Sequence, residues 1–278
     1  MAGNLDFRGF QDLGPAATFK MYDAMGTDEF LKLESGQIAG ILNTFESSQY
    51  EELGGAQIFE AAKQMQRDDF TGMGAGQASL MFDTMGLDQS LGLETAVFAG
   101  MVSRFDPAQF QQIGGENEVQ VVGALTKSDL AGLRNEQALG IAATFDVEQI
   151  GTLETAQLSG LTTALAANDI GTLGSDIVTV IAGNIGVGDL VALDTALAGS
   201  IMKRVPDGAL NAFATDRIEA TLAALDADFL GAGAADFSNI ADRVTTFDQV
   251  SFETPPVLLD LLADESAGNI FSGLFGSG

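Results

Sequence analysis

IAATFDVEQIGTLETAQLSG, residues 141–160, is the stretch whose pattern the rest of the chain repeats. Extended by five residues, its apolar positions are Ile141, Phe145, Ile150, Leu153, Leu158, Leu161 and Leu165. Steps of three and four place side chains on one face of an α-helix, whereas a half-buried strand alternates by two. The wider steps fall where a turn is needed. The spacing therefore predicts two short helices in each block, one over about Val147 to Leu153 and one over about Ala156 to Leu165.

Outward from this block the same columns recur every twenty residues, without insertion, to about residue 230. One column reads Met25, Phe45, Met65, Met85, Phe105, Leu125, Phe145, Leu165, Ile185, Val205, Leu225. A second reads Phe30, Tyr50, Phe70, Ser90, Phe110, Leu130, Ile150, Ile170, Leu190, Leu210, Leu230. A third reads Leu33, Leu53, Met73, Leu93, Ile113, Leu133, Leu153, Leu173, Leu193, Phe213. A fixed period of this length marks a stacked array, in which each unit buries its apolar face only against its neighbours. The fold class expected is all-α: an α-solenoid of about a dozen twenty-residue helix-turn-helix repeats. A β-solenoid fails, because its inward positions would fall on Gly55, Thr95, Gly115 and Thr155.

Helix-start signals agree. Asp146 with Gln149, Thr126 with Asp129 and Gly26 with Glu29 have capping-box spacing. For the second helix, the column Ser35, Gly55, Thr95, Gly115, Asn135, Thr155, Ser175, Thr195, Thr215 supplies candidate N-caps. Gly26, Gly86 and Gly186 are candidates for left-handed turns between helices. Gly140, Gly160, Gly183 and Gly199 would let helices approach closely. The repeat array is expected over residues 1–240. Residues 241–278, where Pro255–Pro256 breaks the register, form a separate C-terminal segment with an apolar, Gly-rich tail.

Composition narrows the function. The 278 residues carry 39 acidic against 12 basic side chains, a net charge of −27. Such a surface repels nucleic acid and anionic lipid, and no apolar run is long enough to span a membrane. Cations for screening are the expected small partners. Histidine and cysteine are absent and no phosphate-binding, nucleotide or GxSxG pattern occurs, so an enzyme is not expected. No cofactor is expected. Ca²⁺ is the one candidate metal, through the acid column Glu29, Asp69, Asp129, Asp169 and Asp189, although these positions are also first-turn acids favoured by the helix dipole. Asp226 opens like an EF-hand loop but Phe237 stands where its glutamate belongs. The N-terminal residues show no secretory signal.

The glutamine column, Gln37, Gln57, Gln77, Gln137 and Gln157, reads either as a binding ladder or as helix-start amides that satisfy free N–H groups; the second fits its position better. In repeat style, residues 1–240 resemble the short Leu/Gln/Ala helical repeats of large secreted or surface bacterial proteins. That resemblance implies a stalk, adhesion module or assembly unit.

The function expected is a non-enzymatic, self-assembling subunit of an extracellular or cell-surface filament, tube or layer. A peptide- or glycan-holding adhesion module and a cytoplasmic scaffold are the alternatives. Head-to-tail self-association would use Leu5, Phe7, Phe10 and Leu13 at one end. At the other it would use Leu258, Leu259, Leu262, Ile270, Phe271, Leu274 and Phe275, unless that tail caps its own array.

Overall fold

In the computed structural model, residues 5–213, 217–218 and 243 are described. Among them every regular element is helical. The chain forms two compact units, residues 1–165 and 166–278.

In the first unit, short first helices alternate with second helices. The first helices are Phe7–Leu13, Thr27–Phe30, Ser47–Leu53, the 3-10 helix Arg67–Gly72, Leu87–Leu91, Pro107–Ile113, Lys127–Ala131 and Val147–Thr152. The second helices are Pro15–Met25, Ser35–Thr44, Gly55–Ala62, Ala75–Met85, Thr95–Val102, Gly115–Gly123, Asn135–Thr144 and Thr155–Thr163. The second unit keeps the rhythm with Ala167–Ile170, Ser175–Asn184, Val187–Val191, Thr195–Arg204 and Asp207–Leu210. Two helices in each twenty residues is the arrangement the spacing predicts, and the predicted bounds in the 141–160 block hold to within two residues.

The apolar columns are the core. From Phe10 to Leu210 every member of the second column is no more than 1% exposed. Phe45 and Phe105 of the first column are equally hidden, and Phe145 is 4% exposed. Edge-to-face contacts tie Tyr22, Phe30, Phe45 and Tyr50 into one aromatic cluster, the geometry that ring quadrupoles favour.

Close packing follows one glycine column. The five most extensive helix pairings each seat a first helix on the second helix of the following repeat. In the first unit these are Phe7–Leu13 on Ser35–Thr44, Arg67–Gly72 on Thr95–Val102, Pro107–Ile113 on Asn135–Thr144 and Lys127–Ala131 on Thr155–Thr163. Each has glycine at the point of contact: a Cβ on Gly40, Gly100, Gly140 or Gly160 would collide with Phe7, Arg67, Pro107 or Lys127, in each case the residue thirty-three places earlier. In the second unit the pairing of Ala167–Ile170 with Thr195–Arg204 carries Ser200 in that column. Gly183 meets only ordinary contact, with the Phe213 ring at 3.7 Å.

Some turns are single glycines. Gly26 has φ 77° and ψ 162°, and Gly86 has φ 75° and ψ 166°, a region essentially closed to other residues. Gly186, at φ −61°, needs no such freedom.

Candidate functional site: a polar ladder between repeats

The capping boxes show where the recurring polar side chains are committed. The Asp146 carboxylate accepts from the Gln149 N–H at 2.8 Å, and Gln149 Oε1 accepts from the Asp146 N–H at 2.9 Å. Thr126 and Asp129 form the same reciprocal pair. Gly26 has no side chain to complete a box with Glu29, which instead pairs with Lys32 at 2.6 Å.

At the second helices the caps lie one residue before the predicted column: Glu34, Gly54, Glu94, Arg134, Glu154 and Asp194 are N-caps, and Ser35 or Thr155 is the first helical residue. The glutamine column explains the shift. Oε1 of Gln37, Gln137 and Gln157 accepts from the backbone N–H of Glu34, Arg134 and Glu154, while the Gln37 and Gln137 N–H groups bond the Glu34 and Arg134 carbonyls at 2.9 Å, so the cap's own side chain is free to vary.

The other end of each amide reaches across the repeats. Gln37 Nε2 donates to the Leu5 carbonyl at 3.0 Å. Gln137 Nε2 donates to the carbonyls of Ser103 and Phe105, and Gln157 Nε2 to that of Gly123. Ser103 and Gly123 stand at the C-terminal ends of second helices, where carbonyls lack intrahelical partners. Gln57 differs: it is exposed, and its Oε1 accepts from the Tyr22 and Thr27 hydroxyls. A second glutamine column behaves alike, with Gln49 donating to the Pro15 carbonyl and Gln109 to that of Ala75 at 3.1 Å.

Arginines complete the ladder. Arg104 donates to the Met73 carbonyl at 3.0 Å, and Arg134 to that of Phe105 at 3.2 Å. In the second unit Arg204 donates to Leu173. Arg217, which stands in the glutamine column, donates to Ala182 and Ile185 at 2.8 and 2.7 Å. A guanidinium at helix C-terminal carbonyls also opposes the negative end of the helix dipole.

The acid column takes part in the same caps. Asp69 accepts from the Gln66 N–H at 2.7 Å and Asp169 from the Ala166 N–H at 3.1 Å. Among the described residues no group of three or more acids is placed to hold a metal ion.

Of the residues predicted for self-association, Phe10 is fully buried beneath Gly40, and the Phe7 ring lies against Gly72. The Leu5 side chain lies beside Gly9. Leu13 stands out, 44% exposed. Leu258, Leu259, Leu262, Ile270, Phe271, Leu274 and Phe275 lie outside the described residues.

Sequence reasoning missed Glu118, a carboxylate buried to 1% exposure. The signal was present, because Glu118 is the one charge in a column otherwise filled by Thr18, Ile38, Ile58, Ala78, Phe98, Ala138, Leu158, Val178 and Ala198.

No family model matches the chain, and no curated protein or solved structure matches it either.

Proposed function

We propose that this chain is a non-enzymatic structural protein, an α-solenoid subunit that associates with copies of itself head to tail in an extracellular or cell-surface filament, tube or layer. The observation that supports the reading most is the fixed reach of its polar ties. Amide and guanidinium groups bond carbonyls about thirty to thirty-five residues earlier, again and again along the chain. These side chains close one repeat against another, which is how an array with no deep single core holds itself together.

Leu13 supports the head-to-tail mode. Its column is buried at Leu53, Met73, Leu93, Leu133 and Leu153 and half-buried at Leu33 and Ile113, yet Leu13 is 44% exposed. A second copy that adds its last repeat there would cover Leu13 as interior repeats cover its equivalents. Such a contact does not close on itself and so generates a polymer. The net charge of −27 makes cations the necessary company of this assembly, since like-charged subunits must be screened before they meet.

Electron micrographs of the full chain at high concentration test the reading. Filaments, tubes or sheets are the expected result, lost or shortened in Leu13→Asp. A monomer at every concentration and salt tested overturns the self-assembly reading.

A further inference from the structure

Glu118 lies on the second helix Gly115–Gly123, in a column whose other members are uncharged and buried in every repeat from Thr18 to Ile218. Its carboxylate has one donor, the Thr144 hydroxyl, at 3.0 and 2.9 Å from the two oxygens. That hydroxyl belongs to the next second helix, Asn135–Thr144, and is also within 3.1 Å of the Gly140 carbonyl and 2.9 Å of the Ile141 carbonyl. One hydroxyl proton therefore serves a carboxylate and two carbonyls.

Among the described residues no charge answers Glu118. Pro107–Ile113, packed on its helix, carries no titratable side chain, and its cap Asp106 accepts from the Gln109 N–H. Val147–Thr152, also packed there, carries Glu148, which is exposed, and its cap Asp146 is exposed and bonded to Gln149. On Asn135–Thr144 the acid is Glu136, exposed and paired with Arg134 at 2.8 Å. Glu116, on the same helix as Glu118, is exposed.

We propose that Glu118 is a proton-operated joint between the second helices Gly115–Gly123 and Asn135–Thr144, closed when its carboxyl is neutral and loosened when it is charged. A neutral carboxyl donates its own O–H to Thr144 Oγ, which releases the Thr144 proton to the Gly140 or Ile141 carbonyl. Both hydroxyl protons then have an acceptor and no charge is buried. The carboxylate, by contrast, holds four lone pairs against a single shared donor in an apolar setting, an arrangement that favours opening toward water.

Burial pushes the Glu118 carboxyl up from 4.5 to about 7, with the Thr144 hydroxyl pulling the other way. A raised acid binds its proton more tightly folded than unfolded. The joint is thus whole below pH 4.5, weakens as pH rises toward about 7, and stays weakened above it.

Hydrogen exchange on the full chain, compared with Glu118→Gln at matched pH, reads the joint directly. At pH 5 peptides spanning residues 115–144 should be protected alike in the two proteins. At pH 8.5 the native chain should exchange there on the order of a hundredfold faster than the variant. A ratio that does not change with pH overturns the proposal. Should Glu118→Gln not fold, the carboxyl resonance of Glu118 in the native protein decides the matter: titration near neutrality supports the joint, and titration in the ordinary glutamate range overturns it.

Discussion

Arg67 and Asp129 form an ion pair across 62 residues, joining the first helices of repeats three places apart. Phe7 and Gly72 repeat that relation, with the Phe7 ring against the glycine. Asp129 is 8% exposed, so its charge must be answered from within the protein. Burial alone would push its carboxyl up; the Thr126 hydroxyl, Arg67 and the Thr126 N–H together outweigh that and hold it below the usual value of 3.8. A depressed acid contributes its stability above its unfolded value and loses it as pH falls through the folded one. Because the Arg67 side chain is 48% exposed, Arg67→Ala should cost about 1 kcal/mol at pH 7. Denaturant unfolding should show that difference shrinking toward pH 3; an equal loss at both pH values would mean that packing, not charge, is responsible.

Gly160→Ala drives a methyl group into the Lys127 carbonyl and the Leu130 side chain, so the seat between Lys127–Ala131 and Thr155–Thr163 must open. We expect a loss of about 1–3 kcal/mol. Gly76→Ala, in Ala75–Met85 with nothing within 4 Å of the new carbon, should instead stabilise by about 0.4–1 kcal/mol. Thermal melts of both variants check the pair, and a Gly160→Ala protein as stable as its parent would remove the glycine column from the packing argument.

Gln137→Ala leaves the Arg134 N–H without its amide partner and takes a donor from the Phe105 carbonyl. Gln137 is 1% exposed, so the expected cost is about 1–3 kcal/mol. Gln57→Ala, at an exposed site, should lose only a small fraction of that. Equal losses at the two positions would show that burial does not set the value of these ties.

Phe145 is 4% exposed in the first apolar column, and Phe145→Ala should cost about 3–5 kcal/mol. A change within error would place that column outside the core.

Assembly should strengthen with salt or millimolar Ca²⁺, because the screening length falls from about 30 Å at 0.01 M to about 10 Å at 0.1 M. Light scattering across that range is the measurement. A flat response argues that subunits meet without having to overcome their charge of −27 each.

The apolar columns were legible because a buried helical face prints its period straight into the sequence; Ile150 and Phe110 sit where the spacing puts them. The caps were displaced by one residue for a chemical reason. Cap residues are recognised by their own side chains, and here the bond that marks the helix start comes from Gln157, whose Oε1 accepts from the Glu154 N–H. The second bond of Gln157, to Gly123, could not be read at all, since it depends on which helix lies alongside. Glu118 was hidden differently: attention to what recurs passes over the one residue that does not.

The reach of the polar ties has a consequence for synthesis. A chain leaving the ribosome needs only about thirty-five residues beyond Leu5, Ala75 or Ser103 before Gln37, Gln109 or Gln137 can close its bond. Closing so short a loop is entropically mild, and domains begin to fold from the N-terminus while translation continues. Each new repeat is thus tied to finished structure as it emerges, and its second helix covers the first helix of the repeat before it. Arg67 waits longer, holding its place until Asp129 arrives.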